Sequence, residues 1–245
     1  DPVRYYDAVA AAVRSSGLKH VIFGGPPTKI ITVQGAAREE GIAEQERYFR
    51  LAAERFPLTV WNLRSENLSA KTPSGETVRG SAAATEEHWQ AATEAYRYLG
   101  GVAQELGIKL AFETHGGNLT DLPSVTLELV RRIDHPAVGV NLDYGNMLPF
   151  PDADPLEQTI RSIGNRLYYV HLKNGIRVSG STYIKTSLAD GEINNRAFLR
   201  VAREVSYDGP ICVEAPRNGD REWFAQEDLA YIRSVLRDLA RDGAW

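Results

Sequence analysis

Short apolar runs rich in β-branched and aromatic residues alternate along this chain with longer stretches whose apolar positions recur every three or four residues. The first is a helical stretch. Asp1 stands as an N-cap with Pro2 at the first helical position, and Val3, Tyr6, Ala10 and Val13 keep helical spacing as far as Gly17. The run His20-Val21-Ile22-Phe23-Gly24-Gly25, closed by Gly-Gly-Pro-Pro, predicts a strand followed by a loop. Helical character over 39–55 leads into a second strand, Leu58 to Leu63. Residues 64–81 carry Ser, Thr, Gly and charge without periodicity, so they are expected to form a long loop, a candidate for the active-site rim. Trp89, Ala92, Tyr96, Leu99, Ala103 and Leu106 then mark an amphipathic helix ended by Gly107. The cycle repeats: strand 108–112, helix 124–133, strand 138–142, helix 154–163 and strand 167–172. A loop at 173–193 with a short strand near 182–188 follows, then helix 195–205, strand 211–213 and a last helix from about 225 to 240.

Strict β-then-α alternation is the signature of a parallel sheet, and this many units predicts an α/β fold of the (β/α)8 TIM-barrel type. Seven strands can be counted. The chain opens on a helix where such a barrel has its first strand, so the barrel is expected to lack that strand or to be truncated before it, with the missing segment preceding Asp1. Residues 1–245 are expected to form one domain.

Composition narrows the partners. A net charge of −4 and a pI near 5.8 provide no field for a polyphosphate, which argues against nucleic acid and against an anionic membrane and favours a small-molecule substrate. One cysteine, Cys212, excludes an intrachain disulfide framework, and no apolar run is long enough to span a bilayer. A soluble, cytoplasmic protein is the expectation. Without an initiating methionine or a charged-then-apolar leader, Asp1 reads as a processed or trimmed start. The apolar helix faces are compatible with a homo-oligomer.

In parallel sheets buried on both sides, an ionisable residue at a strand's C-terminal end is the informative exception. Four occur here: Glu113 ends Leu110-Ala111-Phe112-Glu113, Asp143 ends Val140-Asn141-Leu142-Asp143, His171 ends Tyr168-Tyr169-Val170-His171, and Glu214 ends Ile211-Cys212-Val213-Glu214. The first three are about one strand-helix unit apart, which predicts neighbouring strands. Three carboxylates and an imidazole at one barrel mouth repel one another unless a cation sits between them. The mixed oxygen and nitrogen set suits one divalent metal, Mn²⁺ first, with Mg²⁺, Co²⁺ and Zn²⁺ as alternatives.

Four stretches now carry a resemblance: Ala111-Phe112-Glu113-Thr114-His115-Gly116-Gly117, Asn141-Leu142-Asp143-Tyr144-Gly145-Asn146, Tyr169-Val170-His171-Leu172-Lys173-Asn174, and the run from Asp190-Gly191-Glu192-Ile193 through Tyr207-Asp208-Gly209-Pro210 to Glu214. The chain resembles the xylose-isomerase-like TIM-barrel superfamily, which includes ketose 3-epimerases, hydroxypyruvate isomerase, inosose dehydratase and apurinic-site endonucleases. The resemblance implies a sugar-like substrate and a metal held by Glu113, Asp143, His171 and Glu214. Glu113 and Glu214 would move protons on opposite faces of the carbon beside a carbonyl, and the metal would stabilise the enediolate. Arg177 matches a family arginine that holds substrate oxygens.

One departure stands out: where the family usually has histidine, three residues after the metal aspartate, this chain has Asn146, which can bind a hydroxyl but cannot shuttle a proton. His115 lies on the same face as Glu113 and can compensate as acid, base or outer-shell partner; a structural histidine is the plain alternative. Lys173 is a candidate for a substrate carboxylate or phosphate, and Trp61 for an apolar wall against a sugar ring, although core packing is the commoner fate of tryptophan. The first functional reading is therefore a metal-dependent sugar isomerase or 3-epimerase. A lyase, either a dehydratase or a C-glycoside-cleaving enzyme on a keto sugar, is the alternative kept open by Asn146 and His115. An apurinic-site endonuclease, which needs more histidines than the five present, fits poorly, and a non-catalytic subunit would follow if the first strand were truly absent.

Overall fold

The computed structural model describes residues 1–150, 153–180, 182–214, 217–241 and 243. Helix α1 (Pro2–Ser16) starts as its sequence dictates, with the Asp1 carboxylate accepting from Val3 N at 2.9 Å and Gly17 ending it in the left-handed region. Strand β1 (Val21–Phe23), helix α2 (Ala36–Arg55) and strand β2 (Leu58–Leu63) follow. Next come the short strands β3 (Ser69–Lys71) and β4 (Thr77–Arg79), helix α3 (Glu86–Glu105), strand β5 (Lys109–Glu113), helix α4 (Pro123–Ile133) and strand β6 (Val138–Asp143). Helix α5 (Leu156–Ile163), strand β7 (Leu167–Leu172), the strands β8 (Gly175–Ser179) and β9 (Thr182–Lys185), helix α6 (Asn195–Glu204), strand β10 (Ile211–Val213) and helix α7 (Arg221–Arg241) complete the chain.

Six strands share one sheet in the order β1-β2-β5-β6-β7-β10, and the pairs β1/β2, β2/β5 and β7/β10 are parallel. This is the alternating α/β architecture that the pattern predicts, with six parallel strands among the described residues where a closed barrel has eight. Two segments differ from the expectation. The aperiodic stretch 64–81 holds the antiparallel pair β3/β4, and 173–193 holds a second antiparallel pair, β8/β9, instead of a single short strand.

The chain forms two compact units. The first comprises Asp1–Glu113, Gly117–Asp121 and Val125–Val140. Its core is an aromatic cluster in which Tyr6, Phe23, Tyr48, Phe49, Phe56 and Trp61 meet, Phe49 and Trp61 edge to face at 4.8 Å. Helix α3 is capped by Thr85 and buries Ala92, Tyr96, Leu99 and Ala103, the stripe its spacing predicts; each large apolar side chain buried this way contributes about 1.5–3 kcal/mol. The second unit comprises Thr114–Gly116, Leu122–Ser124 and Asn141–Trp245. Its core packs Ile160 and Ile163 of α5 with Phe198, Leu199 and Ala202 of α6, beside Val170 and Leu172 of β7. Asn174, just after β7, holds the 175–193 segment at its base: its amide donates to Leu188 O (3.1 Å) and Ile193 O (2.8 Å) and accepts from Gly175 N and Ile193 N (both 2.9 Å).

Candidate active site

Strand periodicity builds the site in the second unit. Successive side chains on a strand face opposite sides, so Asn141 and Asp143, then His171 and Lys173, each share a face. Residues 212 and 213 sit opposite His171 and Leu172, and Glu214 N donates to Leu172 O at 3.0 Å, extending the ladder by one residue and setting Glu214 beside Lys173. Four charged groups converge there. His171 Nδ1 lies 2.6 Å from Glu214 Oε2 and 3.3 Å from Asp143 Oδ2, and Lys173 Nζ lies 2.6 Å from Asp143 Oδ2 and 3.2 Å from Glu214 Oε2. Asp143 is fully buried at 0 % exposure and Lys173 is 17 % exposed, so these charges meet in a poorly solvated place. The glycine at 145 makes room for the lysine: a Cβ there would stand 2.3 Å from Lys173 Cβ.

The ionisation states follow from this crowding. Burial alone pushes the His171 imidazolium pKa down, but the hydrogen bonds and charges of Asp143 and Glu214 overcome it and hold it up at about 9. Burial likewise pushes the Glu214 carboxyl up, and the His171 hydrogen bond and Lys173 charge reverse that, bringing it to about 2. For Lys173 burial lowers and the Asp143 charge raises, with a net upward shift. His171 and Lys173 are thus held as cations beside an anionic Glu214.

A cavity of about 290 Å³ opens beside this cluster, lined by His115, Asn146, Lys173, Asn174, Tyr183 and Glu214 among others. Asn146 is held as an orienting group: its Nδ2 donates to Thr114 O at 2.9 Å, and its Oδ1 accepts from Lys173 Nζ at 3.2 Å. His115 Nδ1 lies 3.0 Å from Gly116 O, which fixes the ring at the cavity wall. Thr114 ties its own segment to the end of β6, its Oγ1 donating to Asp143 O at 3.1 Å and accepting from Asp143 N at 3.0 Å.

In the first unit Glu113 ends β5 in a buried position. Its Oε2 accepts from Asn62 Nδ2 at 3.0 Å, and its main-chain oxygen accepts from Thr120 Oγ1 at 2.9 Å. The β2/β5 register sets Asn62 opposite Ala111, two residues before Glu113 on the same strand face. Asn62 was not singled out from the sequence, yet a polar residue inside Leu58–Leu63 was its signal.

In the second unit Asp143, His171 and Glu214 form a group that could hold a metal ion, and Glu113 belongs to the first unit. The chemistry of the donors agrees: Asp143 Oδ1 is buried with no hydrogen-bond partner among the described residues, an acceptor that a cation or a donor hydrogen would satisfy. Two other predicted residues lie elsewhere. Arg177 is on β8, where its backbone N donates to Glu192 and its guanidinium lies 3.9 Å from Glu192 Oε2; it is not among the residues lining the 290 Å³ cavity. Trp61 is a core side chain between Phe23 and Phe49, with part of its ring on a second cavity in the first unit. Arg217, which also follows a strand end, pairs with Asp228 at 2.9 Å and lies over the Phe224 ring.

A family model for the xylose isomerase-like TIM barrel matches residues 2–235. Inosose dehydratase of Clostridium perfringens is 27 % identical over 148 residues, which are 54 % of this chain and 49 % of that protein, so the chain spans about half the length of the curated relative. Among solved structures, 3-keto-D-glucoside 4-epimerase of E. coli aligns with a TM-score of 0.73 at 18 % identity, covering 95 % of this chain and 85 % of that one. A xylose isomerase-like TIM-barrel protein of Mycobacterium smegmatis in complex with magnesium aligns with a TM-score of 0.68 at 21 % identity, covering 96 % and 89 %. At such identities the two structures speak for the fold.

Proposed function

Since this chain belongs to the xylose isomerase-like TIM-barrel family, we propose that it is a divalent-metal-dependent enzyme that removes a proton from the carbon beside the carbonyl of a small, polyhydroxylated ketone. The observation that carries this reading is the Asp143, His171 and Glu214 cluster at strand ends of the second unit, with a buried Asp143 oxygen that has no partner among the described residues. When bound, the ion supplies a Lewis acid that draws electron density from the carbonyl and so acidifies the neighbouring C–H. Glu214, held ionised down to about pH 2, is ready to accept that proton at neutral pH. Glu113, oriented by Asn62, is the second carboxylate, able to return a proton to the carbon. Asn146, with its amide fixed by Thr114 and Lys173, serves as a hydrogen-bonding post and not as a relay. A proton returned to the same carbon from its other face completes an epimerisation; one delivered to the former carbonyl carbon, with a proton moving from one enediol oxygen to the other, completes an isomerisation.

A second outcome on the same scaffold is dehydration, and two observations favour it: the similarity to inosose dehydratase, and the placement of His115 on the cavity wall where Asn146 cannot shuttle a proton. Here the C–H proton passes to a carboxylate, and a hydroxyl on the next carbon leaves as water after taking a proton from His115. The deciding experiment is NMR of ketoses, inososes and 3-keto glycosides in D₂O with protein supplied with Mn²⁺ or Mg²⁺, beside Glu113→Gln and Glu214→Gln. Deuterium incorporation with a new epimer or isomer, lost in both variants, supports isomerisation. Release of water with an unsaturated product supports the lyase. No exchange on any substrate by metal-loaded protein sinks the proposal.

A further inference from the structure

The β8/β9 hairpin of the second unit presents its residues the unusual way round. Its register pairs Gly175 with Lys185, Ile176 with Ile184 and Arg177 with Tyr183, and alternation puts Tyr183 and Lys185 on one face of β9 and Ile184 on the other. Tyr183 and Lys185 line the 290 Å³ cavity, whereas Ile184 and Ile176 are not among its lining residues and stand 61 % and 49 % exposed. A hairpin with a purely structural role would cover its isoleucines and leave the tyrosine and lysine in solvent. Gly175 permits the close fit of the two strands: a Cβ there would stand 2.8 Å from Ile184 O and 2.9 Å from Tyr183 Cδ2. Because its cross-strand partner is this glycine, Lys185 has no side chain directly opposite it.

The charges around the cavity leave one cation unmatched. Lys173 is held by Asp143 and Glu214 and donates to Asn146, while Glu214 also pairs with His171 at 2.6 Å. Asn174 has all four of its hydrogen bonds made. The acids of the neighbouring segment are committed elsewhere, Glu192 to the backbone N and guanidinium of Arg177, and Asp190 to Ser187 Oγ at 2.9 Å. Lys185 is exposed, and among the described residues neither it nor the Tyr183 hydroxyl has a hydrogen-bond or ion-pair partner. An ammonium on a polar cavity wall attracts an anion, and one ammonium beside a neutral hydroxyl matches the single charge of a carboxylate, whereas a phosphate brings close to two charges and three acceptor oxygens. Resting on the reading of the protein as a keto-polyol enzyme, we infer that Lys185 is a specificity-determining residue that receives a carboxylate at the end of the substrate remote from its carbonyl, so that the substrate class is a keto-sugar acid. Recognition and chemistry are then divided along one cavity: Lys185 binds, and Glu214 moves the proton.

Calorimetric titration of the full chain with L-sorbose and with 5-keto-D-gluconate tests this, because the two differ only in ending in a hydroxymethyl group or a carboxylate; each is run with EDTA and with Mg²⁺. Wild type is expected to bind the acid about 3- to 10-fold more tightly than the neutral sugar, the range for one charge-assisted hydrogen bond discounted for solvent screening. The preference should shrink as ionic strength rises. Lys185→Gln should bind the two alike, Lys185→Arg should keep the preference and Lys185→Glu should reverse it. All three variants should melt with wild type, since the side chain is exposed and without a partner among the described residues; a structural lysine would lower the melting temperature and leave the preference standing. Failure of wild type to bind either compound, equal binding of both, or a preference that survives in Lys185→Gln overturns the inference, the last by placing the carboxylate on the metal or on Lys173. Tighter, Lys185-dependent binding of D-fructose 6-phosphate overturns the choice of a carboxylate. A preference lost in Lys185→Gln, without deuterium exchange on any substrate by metal-loaded protein, would retain the role of Lys185 and remove the proposed reaction, and exchange with KM values insensitive to Lys185 would do the reverse.

Discussion

Replacing Lys173 by methionine tests the electrostatic account of the site most directly. In the second unit Lys173 Nζ is 2.6 Å from the Oδ2 of a carboxylate that is 0 % exposed and 3.2 Å from Glu214 Oε2, whose side chain is 41 % exposed. Methionine keeps most of the stem's packing and removes the charge, leaving Asp143 and Glu214 to share His171. Removing one partner of a buried pair typically costs about 3–5 kcal/mol, and because solvent screens the Glu214 contact the lower end, about 3 kcal/mol, applies here. For a chain of 245 residues, each kcal/mol shifts the melting temperature by about 2–4 °C, so metal-free K173M should melt about 6–12 °C below wild type. A divalent ion restores the missing positive charge and no longer meets an ammonium beside its ligands. Added Mn²⁺ or Mg²⁺ should therefore raise the melting temperature of K173M more than that of wild type, and titration should give the variant the tighter metal site. Differential scanning calorimetry with EDTA and with each ion reads both quantities. A metal-free K173M that melts with wild type, or equal metal-induced shifts in the two proteins, would refute the account.

Four further outcomes are expected. His171 has its pKa raised from 6.5 to about 9, so its contribution to metal-free stability is complete below 6.5 and lost as pH rises through 9, while Glu214, lowered from 4.5 to about 2, contributes above 4.5 and loses this as pH falls through 2. Because a ligating imidazole must shed its proton, metal affinity measured by titration should climb about tenfold per pH unit up to about 9, and a pH-independent affinity would exclude His171 as a ligand. Gly41→Ala in α2 would gain about 1 kcal/mol from helix propensity alone, but its Cβ would stand 2.0 Å from Lys29 O, so a net loss of about 1–3 kcal/mol in urea denaturation is expected, and stabilisation would show that the 28–31 segment yields. Burial pushes the Cys212 thiol up, so the native protein should react slowly with a thiol reagent and the urea-unfolded chain quickly; equal rates would contradict the packing around β10.

The ionisable strand ends were legible because an apolar strand has no other reason to stop on a carboxylate or imidazole, and Asp143, His171 and Glu214 do converge. The β3/β4 pair was illegible for the complementary reason: Ser69, Ala70, Lys71, Thr77 and Arg79 are all exposed, so neither strand has a buried face to impose an alternating pattern. Gln45 shows what periodicity can still yield. Its place among Gly41, Tyr48, Phe49 and Ala52 at steps of three and four marks a polar residue on an inward stripe, although its partner Thr28 lies in another segment. Lys173 lines the 290 Å³ cavity, and its partners Asp143, Glu214 and Asn146 are tertiary, so spacing along the chain cannot reveal them.

Asn174 has a fixed capacity of two donated and two accepted hydrogen bonds, and Gly175, Leu188 and Ile193 consume all of it. A segment sewn shut at its base by one side chain can vary in length beyond the stitch without pulling on β7. Insertions, deletions or a transplanted hairpin should thus be tolerated between residues 176 and 187, where the cavity bearing Tyr183 and Lys185 is furnished, while the strand that carries His171 keeps its register. That arrangement separates the part of the second unit free to diversify from the part that has to stay put.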